Sequence, residues 1–500
     1  MLPVLKQTWT VSAVLLNMFA QGMLLSYTSS LLPALRAPDS DIQIDLNTAS
    51  WLASCVGIAG IPGFFISAFL MNWRGRKQAH AIVLIPGLIG WLILYFANDV
   101  TTLAVGRVLG GFTAGATVSL GAVVIGEYTS PNNRGTFLNL KTASVCLGGL
   151  VMHILGTFYH WRIVALMTMV PYSISLAIIC TWPESPAWLA SKKKYESSEK
   201  AFKWLRGNSE ESRKELHELI QAQKEKPVTT KKMTVKSQLI QVLLKFTKSD
   251  FIKPLKIIIV SGILIEACGR HIFPAYASQI ISEVTGDTSQ SFYYTLGIDI
   301  IITGSATFSS VLVKIYKRRT LLFTSGFSAL FVLFSVCAYL YLESKNVISS
   351  GNSIIPVVLF VIYFVSVNLG CTAIPLALCG EVWPLAHRDA GTAISGLVLS
   401  LAVLIGLQVT PHLLESIKVY GTFAVFGSVM GLALVILYFI LPETKDRTLQ
   451  EIEEYFIYGR YRDEHKTKEE AKMNVASEKL LKFSHTDKLK MNDCDVESKM

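Results

Sequence analysis

The chain has 500 residues, of which 51% are hydrophobic and 16% charged, and its net charge is +10. Soluble domains carry about a quarter charged residues, so this composition argues against a soluble protein and predicts extensive contact with lipid. The basic residues lie in short loops and in the segment 192–256, with no folded basic domain around them, which argues against nucleic acid as a partner.

Twelve apolar stretches of about twenty residues, the length that crosses a bilayer, follow one another along the chain. They lie near 9–33, 51–71, 79–97, 102–126, 138–159, 161–182, 255–280, 292–313, 320–342, 354–379, 390–412 and 421–441. Lys and Arg concentrate in the loops 72–79, 127–137, 183–254, 314–319 and 380–389. The positive-inside rule therefore places both termini and the long central loop in the cytoplasm. We predict an all-α membrane protein whose immediate partner is the lipid bilayer.

The spans divide the chain into four predicted parts. These are an N-terminal six-helix bundle (1–182), a cytoplasmic helical linker (183–254), a C-terminal six-helix bundle (255–441) and a cytoplasmic tail (442–500). In the linker, apolar residues recur at helical spacing among Lys and Glu, which predicts short amphipathic helices; they are Phe202, Leu205, Leu216, Leu219 and Ile220. The tail after about residue 460 is polar and poor in aromatic residues, so we expect it to be disordered.

Charged residues next to the spans recur in both halves. Glu127 and Arg134 lie seven residues apart between two apolar stretches, and Glu381 and Arg388 repeat this spacing in the second half. Charges beside a span are costly without a role, so the recurrence predicts a transporter built from two similar halves. We expect a set of charges to lie at the cytoplasmic helix ends and to pair between the halves when that side is closed. The set is Arg76, Arg107, Glu127, Arg134, Glu184, Arg318, Glu381, Arg388 and Glu443. The alternative is that they only fix topology and pack loops.

Four motifs in order resemble the sugar porter branch of the major facilitator superfamily, over about residues 9–456. The segments 183–189 and 442–449 resemble its signatures Pro-Glu-Ser-Pro and Pro-Glu-Thr-Lys, and Gly106-Arg107 and the segment 127–135 resemble two further motifs. Within the branch, the segments 22–29 and 50–54 look most like insect facilitated trehalose transporter-like proteins. The resemblance implies the major facilitator fold, with twelve transmembrane helices in two six-helix bundles. It also implies facilitated transport of a sugar, trehalose or a hexose, by alternating access in the plasma membrane.

Helix 10, with Gly370, Pro375 and Gly380, is the second predicted substrate helix, and helix 7 is the main one. Gly269 and Pro274 interrupt it, because proline cannot donate to the carbonyl of Arg270, and an interrupted helix exposes backbone groups to a substrate. The family places its sugar-contacting amides here; this chain keeps the glycine but not the amides. From the positions that match the family and the polar residues of the spans, we predict a substrate-binding set. The set is Thr142, Glu266, His271, Tyr276, Asn368 and Gln408.

The ionisable residues of the predicted path leave two interpretations open. Glu266 and Arg270 lie four residues apart and can form an ion pair. Alternatively, the site is proton-linked or tolerates anions, with His271 changing charge near neutral pH. Asp299 adds a second buried acid or lines an aqueous vestibule, and His153 is predicted to be a satisfied interior histidine.

Two other functions follow from these residues. One is proton-coupled transport of another small organic solute, and the other is a non-transporting sugar sensor. No nucleophile and base set, metal cluster or Gly-x-x-x-x-Gly-Lys loop is present, so we predict no enzymatic activity and no cofactor. The sequence does not indicate which sugar is carried or what the oligomeric state is.

Overall fold

The computed structural model describes residues 3–225, 249–286, 291–348, 354–383, 388–445 and 449–458, and its regular secondary structure is helical throughout these ranges. The first half contains α1 (Pro3–Arg36), α2 (Leu46–Trp73), α3 (Arg76–Tyr95), α4 (Val100–Tyr128), α5 (Pro131–Phe158) and α6 (Trp161–Thr181). The linker contains α7 (Pro186–Ser191), α8 (Tyr195–Arg206) and α9 (Glu210–Glu225). The second half contains α10 (Ser249–Ala267), α11 (Ile272–Thr285), α12 (Ser291–Ile315), α13 (Arg318–Ser344), α14 (Ile354–Gly370), α15 (Ala373–Glu381) and α16 (Arg388–Ile440), and α17 (Leu449–Tyr458) follows.

These helices supply the twelve predicted crossings. Within the described ranges, ten helical segments are long and apolar enough to cross a membrane, and α14 and α15 together form one of them. Helix α16 contains two crossings, because Lys418 has a left-handed backbone φ of 61° that separates them. The consecutive helices α10 and α11 form the remaining crossing, in two pieces. The prediction of an all-α membrane fold with six spans in each half is confirmed.

Local sequence signals explain where helices begin. Asp99 precedes α4 and accepts a hydrogen bond from the backbone N–H of Thr102, while the Thr102 hydroxyl closes a capping box. The hydrogen bond from this amide lowers the pKa of the Asp99 carboxyl. Asp45 caps α2 by accepting a hydrogen bond from the backbone N–H of Thr48. Both caps fall at the ends of spans, where the first N–H groups of a helix have no partner within the helix.

Small residues let the helices of the first half pack closely. A Cβ atom at Gly22 of α1 would lie 1.9 Å from the carbonyl oxygen of Val145 on α5. A Cβ atom at Gly115 of α4 would lie 2.3 Å from the carbonyl oxygen of Gly60 on α2. Backbones this close are typical of membrane helix interfaces, where small residues replace the hydrophobic effect as the basis of packing.

Two spans of the second half are interrupted. Between α10 and α11, Gly269 has a φ of +76°, and its N–H bonds to Glu266 at 2.8 Å in place of the regular helical partner. The Tyr363 hydroxyl donates to the carbonyl oxygen of Cys268 at 3.2 Å, which satisfies one group freed by the break. Between α14 and α15, the N–H of Thr372 bonds five residues back, to Val367. Both interruptions were predicted from the glycine and proline pattern.

The linker helices pack against the first half, as their amphipathic pattern predicts. Phe202 and Leu205 of α8 are buried, and the Leu205 carbonyl accepts a hydrogen bond from Gln7 of α1. Arg206 donates to the carbonyl oxygen of Thr129, next to α4. Residues 226–248 of the predicted linker and the tail after 458 lie outside the described residues. We call the end of the molecule that carries Arg76 and Arg318 the basic end, and the opposite end, which carries Arg36 and Asp45, the far end.

Candidate functional site

A cavity lies between the two halves, at the level of the helix interruptions. Its empty space is about 640 Å³, including its opening to solvent. Helices α1 and α5 contribute one wall, and the α10–α11 break, α12 and α14 contribute the other. Its polar lining consists of Ser26, Cys146, Cys268, Arg270, His271, Asp299, Asn368 and Thr372. A concave site with a few converging polar groups is the ordinary form of a small-molecule site.

Two of the six predicted substrate residues line this cavity. His271 lies in the α10–α11 break, and Asn368 lies near the end of α14. The Asn368 amide donates to the Phe364 carbonyl at 2.9 Å, and its oxygen accepts from the Thr372 hydroxyl at 3.3 Å. These bonds hold the amide in place while leaving part of its hydrogen-bonding capacity for a ligand.

The structure places the other four predicted substrate residues elsewhere. The Tyr276 hydroxyl donates to the Leu407 carbonyl at 2.9 Å, and the Gln408 side chain accepts from the Ser54 hydroxyl at 2.5 Å. Thr142 is half-buried on α5 and is not among the residues that line the cavity. Glu266 is buried behind the break and does not line the cavity either. Sequence alignment alone does not show which face of a span meets the cavity.

The Glu266–Arg270 ion pair, one of the two interpretations that the sequence leaves open, does not form among the described residues. Glu266 Oε1 instead lies 2.5 Å from Nδ1 of His271. The reason is the break at Gly269, since its positive φ ends the regular turn that would bring residues four apart onto one face. Arg270 instead lines the cavity.

The side chains of His153 and Asp299 contact each other in the structure, and the sequence analysis does not predict this contact. Nδ1 of His153 on α5 lies 2.5 Å from Oδ2 of Asp299 on α12, and both residues are 6% exposed. Nε2 of the same ring lies 3.0 Å from the carbonyl oxygen of Pro274. A carbonyl oxygen can only accept, so Nε2 carries a hydrogen, and the short contact of Nδ1 needs a second one. Together the two side chains therefore carry no net charge, and they link the two halves.

At the basic end, the first half contains a compact charge network. Arg76 donates to both oxygens of Glu127, at 2.8 and 2.6 Å, and the Ser185 hydroxyl donates to Glu127 at 2.5 Å. Glu184 accepts from the backbone N–H groups of Arg76 and Lys77, at the first residues of α3. A carboxylate at a helix N-terminus meets its unpaired N–H groups and its positive dipole end.

The second half repeats this network at the equivalent positions. Arg318 donates to Glu381 at 3.4 Å, and the Thr444 hydroxyl donates to the other Glu381 oxygen at 2.9 Å. Glu443 accepts from the backbone N–H groups of Arg318 and Arg319, where α13 begins. The sequence repeat of Glu and Arg therefore corresponds to a repeat of hydrogen bonds. The second copy is looser, because its arginine makes one long bond to the glutamate where the first makes two short ones.

Two of the charges expected at helix ends need a correction, Arg107 in its position and Arg134 in its partner. Arg107 does not lie at the basic end: it is 20 residues before Glu127 on α4, about 30 Å away at 1.5 Å per residue. It is fully buried and donates to the carbonyl oxygens of Leu24 and Leu52 and to the Thr28 hydroxyl. Arg134 is exposed and bonds to the Gly126 carbonyl rather than to a carboxylate.

The predicted pairing between halves is not observed at the basic end. Among the described side chains there, the ion pairs Arg76–Glu127 and Arg318–Glu381 each stay within one half. The side chain of Arg388 lies outside the described residues. Pairing across the halves thus stays a prediction for a state in which the basic end is closed.

At the far end, by contrast, the halves bond to each other. The Ser29 and Ser278 hydroxyls lie 2.8 Å apart, and Ser54 bonds to Gln408. Ser50 lies 3.3 Å from the His412 ring, and Arg36 lies 3.8 Å from Glu415. Towards the basic end, residues of α5 such as Leu138 and Leu140 are exposed. The cavity is therefore closed on the far side.

The chain is similar to known transporters in sequence and in fold. A family model described as "Sugar (and other) transporter" matches residues 17–456. The facilitated trehalose transporter Tret1 of Drosophila virilis is 26% identical over 454 residues, which cover 89% of this chain and 48% of that protein. The Aedes aegypti protein of the same name is 25% identical over 452 residues, covering 89% and 54%. The chain thus spans about half the length of the curated relatives it matches.

Solved structures show the same fold at low sequence identity. The inward open conformation of the xylose transporter XylE from E. coli superposes with a TM-score of 0.72 at 17% identity, covering 90% of this chain and 98% of that one. The proton:xylose symporter XylE bound to 6-bromo-6-deoxy-D-glucose superposes with a TM-score of 0.70 at 18% identity, with the same coverage. These similarities establish a multi-pass membrane protein with the major facilitator fold.

Proposed function

The chain belongs to the sugar (and other) transporter family, and on that premise we propose that it carries a sugar, trehalose or a hexose, by facilitated alternating access. The cavity between the halves is the observation that carries this proposal, because it lies where two interrupted helices free polar backbone groups. Asn368, Ser26 and Thr372 offer neutral hydrogen-bonding groups for hydroxyls, and Phe273 and Phe364 offer aromatic surface for a sugar ring.

The proposal includes an orientation. The basic end faces the cytoplasm of a cell whose plasma membrane holds the protein, since Lys and Arg concentrate in loops on that side. The bonds between halves at the far end keep the cavity closed to the outside. The charge networks at the basic end hold the helices of each half together and leave the halves free to separate there.

Tracer uptake in proteoliposomes tests the function. We expect saturable uptake of labelled trehalose or glucose that unlabelled sugar inhibits. Asn368→Ala removes a cavity amide and should raise KM about tenfold, because the loss of one good ligand hydrogen bond costs about 1.4 kcal/mol. Thr324→Ala on the exposed face of α13 is the matched control and should leave uptake unchanged. Sugar binding without flux would instead support the sensor interpretation.

A further inference from the structure

Arg270 is a charged residue of the cavity without a visible partner. It lies in the break between α10 and α11, is half-buried, and lines the cavity. No hydrogen bond or ion pair joins its guanidinium to another described residue of the protein. A charge inside a membrane span is costly unless something neutralises it, so an arginine in this position indicates a missing counter-charge.

Each of the two acids near the cavity contacts a histidine. Asp299 lines the cavity, but its carboxyl group is hydrogen-bonded to His153, and this pair carries no net charge. Glu266 bonds to His271 through one oxygen, and its other oxygen faces Gly406, where a Cβ atom would lie 3.3 Å from it. Neither acid forms an ion pair with Arg270 within the part of the chain that the structure describes.

Other groups around Arg270 add positive rather than negative potential. Lys141 of α5 lies within electrostatic reach of Arg270 and donates to the Val118 carbonyl. Helix α11, 14 residues long, begins at Ile272, two residues after Arg270. Its N-terminus adds the positive end of a helix dipole, and interrupted helices of transporters direct such ends at anionic substrate groups. Cys146, also near Arg270, is the remaining titratable residue of α5 at the cavity.

We infer that Arg270 binds an acidic group of the transported solute, so that the preferred substrate is a hydroxylated carboxylate rather than a neutral sugar. A guanidinium can hold a carboxylate through two parallel hydrogen bonds, which a lysine or an amide cannot do. The neutral groups of Asn368, Ser26 and Thr372 remain for the hydroxyls of the same molecule. This inference rests on the proposed transport function and replaces its neutral sugar, trehalose or a hexose, by a sugar acid as the preferred substrate.

Glucose and glucuronate form a matched pair of probes, because they differ only in a hydroxymethyl group against a carboxylate. In proteoliposomes with the wild-type protein, we expect glucuronate to be taken up with a KM at least tenfold below that of glucose. In Arg270→Gln, the ratio of the glucose KM to the glucuronate KM should fall at least tenfold. Arg213→Gln, which changes an exposed arginine of the linker, controls for the loss of one positive charge.

A binding measurement on the wild-type protein tests the inference even if Arg270→Gln does not fold. We expect glucuronate to raise the thermal unfolding midpoint at concentrations where glucose does not. Transport of glucose with neither binding nor transport of glucuronate would overturn the inference and leave the transport function intact. Stabilisation by glucuronate without flux of either probe would support the anion site and contradict the transport function.

Discussion

At the far end, side chains of one half bond to the other half, whereas at the basic end the side chains that the structure describes bond within their own half. The far-end contacts are few and mostly uncharged, such as Ser29 with Ser278 and Ser54 with Gln408. The basic-end contacts are charged and repeat in both halves. Cutting a far-end bond should therefore shift the equilibrium between conformations, and cutting a basic-end bond should weaken one half in either conformation.

The largest effect on the far side should come from the buried pair that joins α5 to α12. His153→Ala leaves Asp299 buried without its partner, which costs about 3 kcal/mol. Because this pair forms only when the halves approach, the outward-facing population should rise. The distance between spin labels on Asp39 and Ile417, at the far ends of the two halves, should lengthen.

The double variant His153→Gln, Asp299→Asn controls for the charge. It replaces the pair by two amides that can bond to each other. Its effect on the label distance should therefore be smaller than the summed effects of His153→Gln and Asp299→Asn made singly. An unchanged label distance in His153→Ala would show that this pair does not hold the far end closed.

The next largest effect is a loss of stability at the basic end, where the two copies of the charge network can be compared. Glu127→Gln weakens two short bonds from Arg76 and one from Ser185, whereas Glu381→Gln weakens one long bond from Arg318 and one from Thr444. Hydrogen bonds to charged groups contribute about 1.5–3 kcal/mol, so Glu127→Gln should lower the unfolding midpoint more than Glu381→Gln. Differential scanning fluorimetry in detergent measures both. Equal decreases in the unfolding midpoint would mean that the shorter hydrogen bonds of the first copy add no stability.

A smaller effect is expected at the Ser54–Gln408 bond. Ser54→Ala removes one neutral hydrogen bond between α2 and α16, worth about 1 kcal/mol. We expect a modest rise in the outward-facing population with the same spin labels and an unchanged KM, because Gln408 contacts Ser54 rather than the cavity. A raised KM would return Gln408 to the substrate-binding set that the sequence predicts. Ser428→Ala, which alters an exposed hydroxyl bonded to Ala424, is the control.

The smallest effect concerns Arg36 and Glu415. Their side chains are 41% and 57% exposed and lie 3.8 Å apart, so water and salt screen the pair. Arg36→Ala should leave the label distance and the unfolding midpoint unchanged within error, because the ion pair contributes less than about 0.5 kcal/mol. A large response would show that charge, and not only packing and neutral hydrogen bonds, holds the far end closed.

The fold was predictable because its signals are local. Span length, the loops rich in Lys and Arg, and the duplicated Glu and Arg spacing all read directly from the sequence. The interruptions at Gly269 and near Gly370 followed from backbone chemistry. The substrate residues were harder, because a span presents different faces to lipid, neighbouring helices and the cavity. Of the six predicted, His271 and Asn368 line the cavity.

The sequence by itself determined the number of crossings, the two-half organisation and the positions of the helix breaks, since hydrophobic length and glycine or proline act within one segment. Only the tertiary structure decided that His153 meets Asp299, that Glu266 turns to His271, and that Arg270 is left facing the cavity. These pairings depend on how helices far apart in the chain approach and rotate. Which charges are neutralised, and which remain for a ligand, is therefore a property of the packing between the two halves.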